Sequence, residues 1–130
     1  MKTITLAVGA AFGLLSIVFG AFGAHALKSI LSVERLSSFE VGVRYQMYAA
    51  LYLLIVGYIL KFETGAEKWI SLSMILGTVL FSFSIYLLAM QEAWNFNAKF
   101  LGPITPIGGL FMIISWLLLI IYFLKKQPHV

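Results

Sequence analysis

The sequence contains no cysteine and no aspartate. Without cysteine it has no disulfide framework, no thiolate nucleophile and no Cys-ligated metal. Charge of either sign is scarce. Only 11% of the 130 residues are charged, against about 25% in soluble domains. All five acids are Glu, and none lies in the central turns of an apolar run. Proton or sodium relays normally carry an intramembrane acid, and Schiff-base chemistry needs a buried Lys. Neither is here, nor is a carboxylate pair for acid–base hydrolysis. In place of charge, 62% of the residues are hydrophobic. A soluble chain this short needs more polar surface to cover itself. The composition therefore indicates an integral membrane protein. The net charge of +4 comes from Lys and Arg set singly or in pairs between apolar runs. That pattern is membrane anchoring and gives no reason to expect nucleic acid as a partner.

Four uncharged runs organise the chain. A spanning helix needs about 20 mostly apolar residues for a hydrocarbon core of roughly 30 Å. Residues 3–24, 45–60, 69–91 and 106–124 are the candidate spans. The second is short and crosses if Arg44 and Lys61 snorkel to the two interfaces. In the fourth, Thr105 is placed to cap the helix and Pro106 to occupy its first position. Lys125 and Lys126 then close it at the negative end of its dipole. Ser32-Val33-Glu34-Arg35 and Ser37-Ser38-Phe39-Glu40 in the first connector predict a short interfacial helix leading into span two. The expectation is an all-α, four-span transmembrane helical bundle, one domain over residues 1–130.

Met1-Lys2, an apolar stretch and Ala24-His25-Ala26 imitate a secretory signal with its cleavage site. The apolar stretch runs about 20 residues, longer than the roughly 7–15 of a signal core, so it is read as a span. An even number of spans puts both termini on one side, with Lys2, Lys61, Lys68, Lys125 and Lys126. Lys28, Arg35, Arg44 and Lys99 fall on the other. The balance favours cytoplasmic termini in a cell membrane.

Two features carry packing or binding. Gly9, Gly13, Ser16, Gly20 and Ala24 form one small-residue face along span one, which admits a close helix neighbour. Gly108 and Gly109 offer the same in span four. The neighbour can belong to this chain, to a second copy or to a partner membrane subunit. Glu40, Arg44 and Tyr48 stand at helical spacing and predict a polar ladder, with Glu and Arg paired at i, i+4. His25 and Thr105 reach the same interface by topology, so these five residues are the candidate site for an anionic headgroup. The competing reading is structural pairing and helix capping. His129 would lie on the opposite side from His25, so no metal site and no cofactor is expected.

Three stretches are distinctive together: Gly20-Ala21-Phe22-Gly23-Ala24-His25-Ala26-Leu27, Gly42-Val43-Arg44-Tyr45-Gln46-Met47-Tyr48 and Thr105-Pro106-Ile107-Gly108-Gly109, with Trp116 beyond. Ser82-Phe83-Ser84-Ile85-Tyr86-Leu87 is a weaker fourth. The chain resembles the DUF423 family of small bacterial membrane proteins, related to eukaryotic transmembrane protein 256. The resemblance implies a compact four-helix membrane protein and implies no reaction. This sequence has Ala49 where the family pattern usually has His, and Phe83 where it often has Gly. Three functions follow in order of support. The first is a non-enzymatic protein acting by packing with membrane lipids or partner subunits. The second is a transporter or channel lined by Tyr45, Tyr48, Tyr52, Ser84 and Gln91. The third is a headgroup enzyme using His25, Arg44 and Tyr48.

Overall fold

The computed structural model describes residues 1–125. Lys126 and His129 lie outside them. Four helices run up and down: α1 (Lys2–Ala24), α2 (Val33–Ile59), α3 (Gly65–Met90) and α4 (Ile104–Lys125). Among the described residues, three stretches are long and apolar enough to cross a membrane: Lys2–Ala24, Gly65–Met90 and Lys99–Lys125. The last takes in a 3-10 turn, Lys99–Leu101, before α4. α2 is also long, about 40 Å at 1.5 Å per residue, but Glu34, Arg35, Glu40 and Arg44 occupy its first half.

No separate interfacial helix precedes α2. The connector holds only a 3-10 turn, Leu27–Ser29. Ser32 caps α2 by accepting a hydrogen bond from the Arg35 amide, so the first serine starts the helix. Once it starts, nothing stops it before Ile59. Ser37 and Glu40 are therefore interior helix positions. At the other face, Thr64 and Glu67 form a reciprocal capping box at the start of α3.

α1 and α2 pack antiparallel along their length. Gly23 lies against Phe39, Gly20 against Val43, Gly13 against Ala50, and Gly9 against Leu53 and the Ala50 carbonyl. The small-residue face of α1 is thus filled by α2 of the same chain. Ser16 is buried in this contact, while Ala24 is exposed beyond it. Lys2 Nζ then reaches the Tyr58 and Leu60 carbonyls, which sets the start of α1 beside the end of α2. α3 and α4 make the second antiparallel pair, closest where Gly77 meets Gly108. There α3 widens into one π-helical turn, Val79–Phe83. The Gly108 face lies against the Phe81 and Leu80 backbone in that turn, and half-buried Gly109 lies against the Phe81 ring.

The two pairs join through α2 and α3. Leu53, Val56, Leu60, Ile70 and Met74 fill the space between them, each essentially inaccessible. Hydrogen bonds tie the seam together. Thr5 of α1 meets Ser71 of α3 at 2.6 Å. Tyr52 of α2 meets Ser115 of α4 at 2.9 Å, and Ser115 donates to the Ile70 carbonyl. Ser82 donates to the Gly42 carbonyl at 2.8 Å. In hydrocarbon such groups have no water to bond, so each needs a partner in the protein.

Candidate functional site

α1 and α3 run parallel and are pinned at one end by Thr5 and Ser71. Toward the His25 end they stand apart and leave an open cleft of about 450 Å³. Val18, Phe19 and Phe22 form its α1 wall. Phe83, Tyr86, Leu87 and Met90 form its α3 wall. Phe39 of α2 contributes from behind, and Leu27 and Trp94 from the two connectors. The rings brace one another edge-on. Phe19 meets Phe39 and Phe83 at 6.5 Å and Tyr86 at 5.0 Å between centroids. The only hydroxyl on the lining, that of Tyr86, is taken by Gln46 Oε1. Gln46 is fully buried, and its Nε2 donates to the Phe12 carbonyl at 3.0 Å. The surface offered to a ligand is therefore almost wholly apolar.

The five expected site residues do not gather in one place. Glu40 and Arg44 share a groove between α1 and α2, with Gly20, Gly23, Phe19, Phe39 and Val43. They line it without pairing. Both are exposed, and neither has an ion pair or hydrogen bond among the described residues. The i, i+4 spacing permits a bond but does not compel one at a surface. Tyr48 lies further along α2, 54% exposed, with its ring against Tyr45. The ladder thus ends at Arg44. His25 is the exposed residue that caps the C-terminal end of α1, and its amide donates to the Ala21 carbonyl.

Thr105 belongs to a different pocket, with Arg35, Ser38, Leu88, Gly102 and Pro106. It does not cap α4. The helix begins one residue earlier at Ile104, and the Thr105 hydroxyl meets Ser84 Oγ at 2.6 Å. Pro106 is then the third helical residue, where a missing N–H is still harmless. The ion pair that does form is Arg35 with Glu92, at 2.9 Å. Arg35 also donates to the Leu88 carbonyl, fastening the start of α2 to the end of α3. This pair joins the first turn of α2 to the connector after α3, distant in sequence, so no local spacing announced it. Gln46 was also missed as a site residue, although it is the only side-chain amide in residues 45–60.

The proposed transport lining is dispersed as well. Tyr52 is bonded to Ser115, Ser84 to Thr105, and Gln91 Oε1 to the Ala98 amide. Among the described residues no group of three His, Cys, Asp or Glu could hold a metal.

The family model described as protein of unknown function (DUF423) matches residues 19–109. That span runs from the cleft wall of α1 to the first turns of α4. A UPF0382 membrane protein of Staphylococcus haemolyticus is 43% identical over 114 residues, covering 88% of this chain and 89% of its own. UPF0382 membrane protein YwdK of Bacillus subtilis is 36% identical over 123 residues, covering 91% and 94%. No solved structure matches.

Proposed function

The chain belongs to the DUF423 family of membrane proteins, and from that premise we propose that it is a non-enzymatic protein of the cell membrane that holds a lipid acyl chain in the α1–α3 cleft. The observation that carries this reading is the cleft itself. At about 450 Å³ it falls within the roughly 300–1,000 Å³ of small-ligand sites. Its walls belong to two helices that can span a bilayer, so its mouth opens sideways into lipid. Left empty, its aromatic walls would forgo dispersion contacts that a flexible hydrocarbon chain supplies. The interior polar groups support the same reading. Thr5, Gln46, Tyr52, Ser71, Ser82 and Ser115 are engaged in joining helices, and the cleft lining holds no nucleophile and no acid–base pair.

Leu87 lines the cleft and is partly exposed, so Leu87→Trp should fill the cleft without disturbing the core. Native mass spectrometry of protein released from its own membranes is the test. Wild type is expected to carry phospholipid, and Leu87→Trp to emerge largely bare with unchanged thermal stability. Leu117→Trp, on the exposed face of α4, should keep the lipid. Equal retention by wild type and Leu87→Trp would sink the proposal.

We further place both termini in the cytoplasm. In the sequence the two ends and the 61–68 connector carry five cations, Lys2, Lys61, Lys68, Lys125 and Lys126, against four, Lys28, Arg35, Arg44 and Lys99, in the other two connectors and their flanks. The absence of cysteine makes labelling simple, because any introduced thiol is unique. On intact cells an impermeant maleimide is expected to label Ser29→Cys and to spare Glu63→Cys. The reverse pattern would turn the molecule over.

A further inference from the structure

Resting on that reading of the cleft, we propose that the groove beside it selects a phospholipid with a phosphoethanolamine headgroup, Arg44 taking the phosphate and Glu40 the ammonium. Three observations converge on this headgroup. The groove of about 290 Å³ between α1 and α2 contains one cation and one anion, neither of them paired. An i, i+4 Glu–Arg couple left open along a groove can be bridged by a ligand of the opposite polarity at each end.

The groove also adjoins the acyl cleft. Phe19 and Phe39 line both, so a chain in the cleft and a headgroup in the groove lie on either side of the same two rings. Gly20 and Gly23 keep the α1 wall of the groove low.

The order of the charges matches as well. α2 descends into the membrane from its start at Val33. Gly23, next to the end of α1, is level with Phe39, and Gly20 is level with Val43. Arg44 thus lies about 6 Å deeper than Glu40, at 1.5 Å per residue. In a phosphoethanolamine lipid the phosphate is esterified to the glycerol and lies deeper, while the ammonium is outermost. The deeper side chain is the cation and the shallower one the anion. Guanidinium holds a phosphate through two parallel bonds, and its long stem lets the head rise to the phosphate level. A headgroup without an amine, such as phosphoglycerol, would leave Glu40 facing a like-charged lipid.

The test is lipid exchange on the intact protein in nanodiscs, read by native mass spectrometry. The discs contain phosphatidylethanolamine, phosphatidylglycerol and diacylglycerol of identical chains. Wild type is expected to retain phosphatidylethanolamine over phosphatidylglycerol by about threefold or more, the ratio a single interfacial ion pair supports. Glu40→Gln should bring that ratio to about one while total lipid retained stays the same. Arg44→Gln should remove the preference of both phospholipids over diacylglycerol. Both side chains are exposed and unpaired, so the variants should melt as wild type does, and melting curves check this. Retention of lipid without headgroup preference, or a preference untouched by both substitutions, overturns this inference and leaves the acyl cleft standing. Retention of no lipid by wild type overturns the cleft reading as well.

Discussion

Gly108→Ala is expected to destabilise the protein by about 3 kcal/mol, the upper end of ordinary overpacking. The reason is what a single methyl would meet. A Cβ on Gly108 would collide with the Phe81 amide nitrogen, and would lie 2.8 Å from both the Gly77 oxygen and the Leu80 carbonyl carbon. All three are backbone atoms, so no rotamer change can make room. α3 and α4 would have to separate. Separation would stretch the Ser84–Thr105 and Ser115–Ile70 hydrogen bonds on either side of the crossing. Gly109→Ala is the matched control. Its Cβ would sit 3.6 Å from the Phe81 ring, an ordinary contact, and little change is expected. Gly65→Ala meets nothing within 4 Å and should also be silent. Reversible unfolding by SDS in mixed micelles measures all three. A Gly108→Ala value within about 0.5 kcal/mol of Gly109→Ala would mean that the helices do not approach this closely.

Such a dependence on backbone approach was half readable beforehand. Four uncharged runs announce four helices because lipid requires about 20 apolar residues per span. Glycine spacing in α1 and α4 announces close packing, since small residues let helices meet without side chains between them. The partner of each face was not readable, because spacing within one helix says nothing about its neighbour. The start of α2 was read too late because charged residues suggest an end to the apolar span, whereas the helix itself continues through them. Thr105 before Pro106 reads as a cap by local chemistry, yet a tertiary partner, Ser84, took the hydroxyl. The cleft left no local mark at all. Val18, Phe19 and Phe22 read as any lipid-facing stretch, and only the splay of α1 from α3 turns them into a wall. Glu40 and Arg44 were found by spacing, but the spacing predicts a bond to each other that the structure leaves open.

Gln46→Ala is expected to cost about 3 kcal/mol, for reasons that link the buried seam to the cleft. The side chain is fully buried, so truncation leaves a cavity. It also removes two interhelical bonds, worth roughly 0.6 kcal/mol each in membranes and up to about 1.7. One holds the Phe12 carbonyl of α1, and the other holds the Tyr86 hydroxyl of α3. Gln46 therefore fastens both walls of the cleft to α2 at one level. Losing it also takes from the Tyr86 hydroxyl its buried amide acceptor and leaves Ser82 as the neighbouring polar side chain. Gln46→Leu separates these effects by keeping most of the volume. In a double-mutant cycle with Tyr86→Phe, a coupling of about 1 kcal/mol is expected. Gly42 adds a steric reason for the same register, because a Cβ there would fall 2.7 Å from the Tyr86 ring. If the bond matters to the cleft, Gln46→Leu should also lower lipid retention in the native mass spectrum, and Tyr86→Phe should not. Tyr86→Phe leaves the wall apolar and in place, whereas Gln46→Leu keeps a hydroxyl on the wall without the acceptor that turns it away from the acyl chain. A coupling near zero, with lipid retained equally by both variants, would reduce Gln46 to a filler of its own cavity.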